Sequence, residues 1–291
     1  MSRASIADCF LRACWLDVAV RKPGNVSIHS AGHRMLAEQF LASARAAVVP
    51  LCEHGARVGE RIEAAMAATW RAVGCNTNLG ILLLCAPLAA AAEREGARAS
   101  VAALRAALQG VLDSLDVDDA RAAYRAIAQA NPGGLGDAPE QDVHDEPTLT
   151  LRDAMALAAT RDRIAAQYAG GFSDLFDVGL ATLPPGFALR NTDIDTAPDE
   201  ATNMAVQRVF LAYLAAFPDS HIVRKHGEAV AHTVMSAAQG WTAHAAPAHD
   251  ERFARWDEQL KAQGINPGTS ADLSVATLFL GGLLASAWHG S

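Results

Sequence analysis

The residues able to do chemistry fall in a few short polar segments between long apolar stretches. Lys22-Pro-Gly-Asn-Val-Ser27 offers a cation, an amide (Asn25) and a hydroxyl (Ser27) around a Pro-Gly turn, with His29 and His33 just beyond. Such a turn can hold phosphate oxygens through side chains and exposed backbone N–H groups; the alternative is a helix stop followed by a polar turn. Gly74-Cys-Asn-Thr-Asn-Leu-Gly80 places Asn76, Thr77 and Asn78 in a row before a strongly apolar stretch. A helix N-cap needs one such residue, and buried polar groups are costly unless paired or met by a ligand. Segment 131–147 carries Asp137, Glu140, Asp142, Asp145 and Glu146. These are hard oxygen donors of the kind Mg²⁺ takes beside substrate phosphates, or else a solvated acidic loop. Asn266-Pro-Gly-Thr-Ser-Ala-Asp272 opens the last apolar stretch. Thr269 and Asp272 have capping-box spacing. Asn266, Gly268 and Ser270 are not explained by a cap, and a helix start offers free N–H groups to an anion. His221, Arg224 and Lys225 share one helical face, as a triphosphate-facing patch or a solvated stripe.

Helical periodicity must position these segments, since no alternating strand pattern stands out. It predicts helices at about 3–20, 34–49, 56–73, 78–94, 99–114, 118–130, 149–169, 171–181, 200–217, 220–239, 248–263 and 270–288. The breaks between them, including 183–200, are rich in Gly, Pro, Asn and Asp, the residues that stop helices and make turns. Hydrophobic residues make up 51% of the 291 and aromatics only 6%, with abundant alanine, which loses no side-chain entropy in a helix and lets helices approach closely. The expectation is an all-α fold, a single compact multi-helix domain over 1–291. By composition 131–147 is a candidate boundary, but both halves supply a Pro-Gly-Asn type loop that reads as part of one site.

The net charge of −8 and the absence of a basic stretch argue against nucleic-acid binding. Five cysteines without a Cys-x-x-Cys pair argue against a disulfide framework or a zinc site. The apolar runs Leu79–Ala92 and Leu273–Trp288 fall short of the roughly 18 residues of a membrane span and read as buried core helices. The N-terminus lacks a signal-peptide pattern, so a cytoplasmic location is expected. His232, His244, His249 and His289 show no metal-ligand spacing, core packing is the expectation for Trp241 and Trp256, and a homo-oligomer is left open.

KPGNVS at 22–27, Gly-x-Asn-Thr-x-x-Gly at 74–80 and Asn-Pro-Gly-x-Ser-Ala-Asp at 266–272 recur in this order in triphosphoribosyl-dephospho-CoA synthases, and the chain resembles that family over nearly its whole length. The segments GLGDAPEQDV, LRDAMALAATRDRIAAQY and HIVRKHG look closer to a branch that accompanies one-carbon cofactor metabolism in methylotrophs and methanogens. The resemblance implies an all-α, Mg²⁺-dependent transferase. ATP loses adenine, and its triphosphoribosyl group joins a ribose hydroxyl of dephospho-CoA or a related acceptor. The product is the prosthetic-group precursor of citrate or malonate lyase-type carrier proteins. It further implies Asp272 and Asn76 as catalytic residues and Asp137 and Asp142 as Mg²⁺ ligands. By matching position it also implies Lys22, Thr77, Gly80, Asn266, Gly268 and Ser270 as substrate-binding, and the polar segments themselves add Asn25, Ser27, His29, Asn78, Arg224, Lys225 and Thr269. The chain departs from the familiar Asn-Thr-His-Lys-Gly at Asn78 and Leu79, and from His-x-Asp-Met at His33-Arg-Met-Leu36. The alternative reading is a nucleotide-binding protein of tetrahydromethanopterin or methanofuran metabolism with altered chemistry or no turnover.

Overall fold

The computed structural model describes residues 3–95, 100–130, 142–187, 189, 196–244 and 246–285, and among these it is all-α, with no strand. In chain order the helices are α1 (Arg3–Ala19), α2 (Ala37–Leu51), α3 (Val58–Val73), α4 (Leu79–Glu95), α5 (Val101–Asp113), α6 (Val117–Ala130), α7 (Leu151–Ala158) and α8 (Arg163–Ala169). After a π-wound turn at Leu175–Leu180 come α9 (Glu200–Ala216), α10 (Ser220–His226), α11 (Glu228–Thr242), a 3₁₀ turn at Pro247–His249, α12 (Glu251–Ala262) and α13 (Gly268–Ala285).

The most apolar helices lie at the centre. α13 packs against α1, α4, α9 and the π turn, while α2, α3 and α6 form a layer beside them and α5 lies on α4. By length and composition α13 could cross a membrane, because it starts at Gly268, upstream of the apolar run seen in the sequence. With 78% of it buried inside the protein, it is a core helix instead. α4 is buried nearly all round and contains Pro87, which cannot donate to the Leu83 carbonyl one turn earlier. The fully buried Tyr168 hydroxyl on α8 donates to that carbonyl at 2.7 Å, so the proline leaves no unpaired acceptor. A smaller apolar cluster, built around Phe210, Ile222, Phe253 and Leu260, joins α9 to α12.

Three predicted helices differ from those observed. The stretch 149–169 breaks at 159–162, where the Asp162 side chain accepts from the N–H groups of Ile164 and Ala165 and starts α8. The stretch 220–239 breaks at Gly227, whose φ of +86° no L side chain adopts easily. The stretch 171–181 is helical over 173–182 but π-wound at Leu175–Leu180, where Gly179 lies so close to Tyr213 and Thr277 that a Cβ would fall 2.2 Å from either hydroxyl. Widened turns of this kind accommodate an extra residue where packing demands it.

One carboxylate joins the start of α10 to the start of α13. Asp219 accepts from the N–H groups of His221 and Ile222 through Oδ1, and from the N–H and hydroxyl of Ser270 through Oδ2, at 2.7 and 2.8 Å. Burial raises its carboxyl above the usual range, and the bonds from Ser270, Ile222 and His221 work against that rise. Asp219→Ala leaves two helix starts uncapped, and urea unfolding should show a loss of about 2 kcal/mol. A loss below about 0.5 kcal/mol, the scale of an ordinary surface change, would remove Asp219 from this role.

Candidate active site

The two Pro-Gly loops, some 240 residues apart, lie against each other. The Asn25 N–H donates to the Lys22 carbonyl at 3.0 Å and closes a turn in which Gly24 has φ of +80°. A Cβ on Gly24 would meet the Ile265 carbonyl oxygen and Pro267 Cδ at 2.8 Å, so the contact requires glycine. The Gly24 N–H donates to the buried Asp257 carboxylate, and the Asn25 amide donates to Asn266 Oδ1 at 3.1 Å. Lys22 points inward: its side chain is 0% exposed, Nζ lies 2.9 Å from Asp17 Oδ1, and it also donates to the Asp17 carbonyl. The wall residue is therefore Asp17, with Lys22 behind it. Ser27 is buried, and His29 donates from its ring to the Ala19 carbonyl. Neither lines the cavity. His33 does, with its ring 2.7 Å from the Gly24 carbonyl, and it and Arg34 both hold positive φ.

At the start of α4 the three polar residues divide their work. Asn76 Oδ1 accepts from the Leu79 N–H at 3.1 Å and is the cap. Thr77 donates to the Ser43 hydroxyl on α2 at 2.6 Å. Asn78 is buried and lines the cavity, and neither of its amide atoms has a partner among the described residues. Two residues on, Gly80 makes room for α13: a Cβ there would fall 2.1 Å from Asp272 Oδ2.

The capping box expected at Thr269 and Asp272 does not form. Thr269 accepts instead from the His221 N–H at 3.2 Å, and Ser270 is held by Asp219. This leaves Asp272 against Gly80 on the cavity wall, its carboxyl raised well above the ordinary range by burial and then by Asp17 and Asp219. α10 brings His221, Arg224 and Lys225 to the same wall. Arg224 pairs with Asp162 at 2.5 Å, while its buried Nε has no partner among the described residues. His221 lies against Gly268 and is held neutral, down to about 3, by burial and by Lys225, Arg224, His33 and His226.

Together these residues enclose a cavity of about 680 Å³, within the range of small-molecule sites. One set of lining residues is polar and charged: Asp17, Asn25, Asn78, Arg161, Asp162, Arg224, Lys225, Asn266 and Asp272. α6 and α7 supply a largely apolar set, with Tyr124, Ile127, Met155 and Leu157, joined by Phe40 and Trp70.

Residues 3–290 match the CitG family, ATP:dephospho-CoA triphosphoribosyl transferase. The chain belongs to this family. The structure is also similar to a crystal structure from Archaeoglobus fulgidus named for a proposed triphosphoribosyl-dephospho-CoA synthase. That likeness has a TM-score of 0.62 at 23% identity and covers 83% of this chain and 98% of that one, which shows a common fold. No curated protein gives a significant match.

Of the residues singled out in the sequence, the structure brings Asn25, Asn76, Thr77, Asn78, Gly80, Arg224, Lys225, Asn266, Gly268 and Asp272 to one cavity. It does not bring Lys22, Ser27, His29, Thr269 or Ser270 to the cavity wall. Lys22 pairs with Asp17, the His29 ring with the Ala19 carbonyl, Thr269 with the His221 N–H and Ser270 with Asp219, while Ser27 is buried. Asp17, Arg161 and Asp162 were not singled out from the motifs, being polar residues inside predicted helices. Of the expected Mg²⁺ ligands, Asp137 lies outside the described residues. Asp142 lines the cavity but holds the His144 ring and N–H through Oδ1. No three His, Cys, Asp or Glu side chains converge among the described residues. The wall does offer hard oxygens, and Asp17 and Asp162 both push the Asp272 carboxyl upward. That donor set fits a cation held by one carboxylate and substrate phosphates, with Asp17 the residue that would hold it.

Two outcomes test this geometry. Gly80→Ala should leave a folded protein, by circular dichroism, whose turnover drops at least tenfold, because the methyl displaces the Asp272 carboxylate; full turnover would show that the close approach is dispensable. For His221, the folded ring stays neutral down to about pH 3 while the unfolded ring takes a proton near its ordinary 6.5. Its contribution to stability is therefore complete above pH 6.5 and lost as pH falls through it. The melting temperature should fall between pH 7 and 5, less steeply in His221→Gln; parallel curves would assign the pH dependence elsewhere.

Proposed function

We propose that the cavity is where this transferase joins the triphosphoribosyl group of ATP to dephospho-CoA. What carries the reading is the family match over 3–290, together with a cavity on whose wall all three family motifs have residues. In the transfer, the acceptor hydroxyl oxygen bonds to the anomeric carbon as the bond to the adenine nitrogen breaks. The bonding pair leaves with adenine, which gains a proton, and the hydroxyl loses one. Positive charge builds on the sugar between these events, and a carboxylate beside it stabilises that charge.

Asp272 is the residue assigned to this place. A carboxyl held above the ordinary range accepts a proton more readily, so the same group suits the hydroxyl proton. Arg161, Arg224 and Lys225 supply positive charge for the triphosphate. Mg²⁺ held by Asp17 and the phosphates would neutralise charge there. Asn76 and Thr77, capped into α4 and tied to α2, position that helix start. The apolar wall from α6 and α7 suits the pantetheine arm of the acceptor.

The family match favours dephospho-CoA over a one-carbon cofactor as acceptor. A cytoplasmic location fits a water-soluble pair of nucleotides, and the described chain builds the cavity without a second copy. Chromatography of the protein with Mg²⁺ and ATP should show free adenine only when dephospho-CoA is added. Asp272→Asn should lower that rate about a hundredfold or more with ATP affinity kept. Adenine released equally without an acceptor would mean hydrolysis, and none in either case would exclude the reaction.

A further inference from the structure

Asn78 has no structural task that accounts for it. Its side chain is 5% exposed, and neither Nδ2 nor Oδ1 finds a partner among the described residues. A buried carboxamide left unpaired costs about 1–3 kcal/mol for its polar groups, so such a group is retained where something else pairs with it. The ordinary explanation, capping of α4, is already filled by Asn76, and the neighbouring hydroxyl of Thr77 is tied to Ser43. Asn78 faces the cavity from the same helix start as Gly80, which touches the Asp272 carboxylate.

The surroundings decide what the carboxamide can meet. Leu79, Ile81, Leu83, Ile164 and Ala165 line the cavity alongside it, walls that suit a flat ring and not a solvated polyphosphate. The cationic side chains come from other elements, Arg161 before α8 and Arg224 and Lys225 on α10. A group with one donor and one acceptor fixed side by side satisfies both halves of a carboxamide at once. The N6 amino group and N7 of adenine have this pattern, with N6–H donating to Oδ1 and Nδ2–H donating to N7. Hypoxanthine and guanine present two acceptors on the same edge and would leave Oδ1 unpaired.

We propose that Asn78 reads the N6–N7 edge of the donor nucleobase and sets the preference for adenine. The assignment rests on the ATP-donor reading and specifies how the base is recognised. The carboxamide fixes the ring plane, and with it the side of the sugar that faces Asp272. It also separates two tasks at the start of α4: Asn76 holds the helix, Asn78 holds the base.

Binding of ATP, ITP and 7-deaza-ATP with Mg²⁺, by titration calorimetry on the full chain, tests this directly. A bidentate contact predicts that ITP and 7-deaza-ATP bind about ten- to a hundredfold more weakly than ATP. Asn78→Ala should bring the three within a few-fold of one another, and Asn78→Asp should weaken ATP most, because its carboxylate faces N7. The two analogues probe the native protein, so the test stands even where a variant fails to fold. Equal binding of ATP, ITP and 7-deaza-ATP to the native protein overturns the role of Asn78 while leaving the donor reading intact. Unchanged selectivity in a folded Asn78→Ala overturns it as well. Failure of every triphosphate to bind overturns both.

Discussion

The cavity depends on Asp219, a carboxylate that accepts four hydrogen bonds at the starts of two helices far apart in sequence. Helix starts leave backbone N–H groups without partners, and a buried start must find them. Here one acceptor serves both, so α10 and α13 are tied end to end. The tie lets Thr269 turn to the His221 N–H and frees Asp272 from the capping role its spacing suggests. A carboxylate that would have served the helix faces the cavity instead.

The opposite wall follows the same economy of donors and acceptors. Asn76 and Thr77 are satisfied locally, and Lys22 is neutralised by Asp17 behind the wall. What faces inward includes Asn78 and the Arg224 Nε, which have no hydrogen-bond partner among the described residues, beside the buried Asp272 carboxyl. Their burial is unfavourable unless a ligand offsets it, and that is how a folded scaffold stores readiness to bind.

Most helices were legible because apolar spacing and Gly/Pro breaks report the core, and the core is what α1, α4 and α13 form. The breaks at 159–162 and Gly227 were hidden, since the sequence on either side continues a helical pattern and tertiary packing decides where it stops. Those two breaks frame the charged wall, so Arg161 and Asp162 were lost with them. Motif spacing found the loops but could not say which of their side chains turn inward. Lys22, Ser27 and Ser270 have the chemistry of ligand-binding residues, yet Lys22 pairs with Asp17, Ser27 is buried away from the cavity and Ser270 is held by Asp219. Asn78 differs from Asn76 by two positions, and only the partner of each amide separates them.

Asp17 on α1 and Asp272 on α13 both line the cavity, so it draws on helices far apart in sequence. During synthesis from the N-terminus, α1 and α4 emerge long before α13, the apolar helix that packs between them and α9. Until α13 docks, the growing polypeptide has an open trough where its centre will be. Truncation anywhere before 268 removes both the central helix and the Asp272 carboxylate. Docking of α13 thus closes the core and brings the Asp272 carboxylate to the cavity in one step.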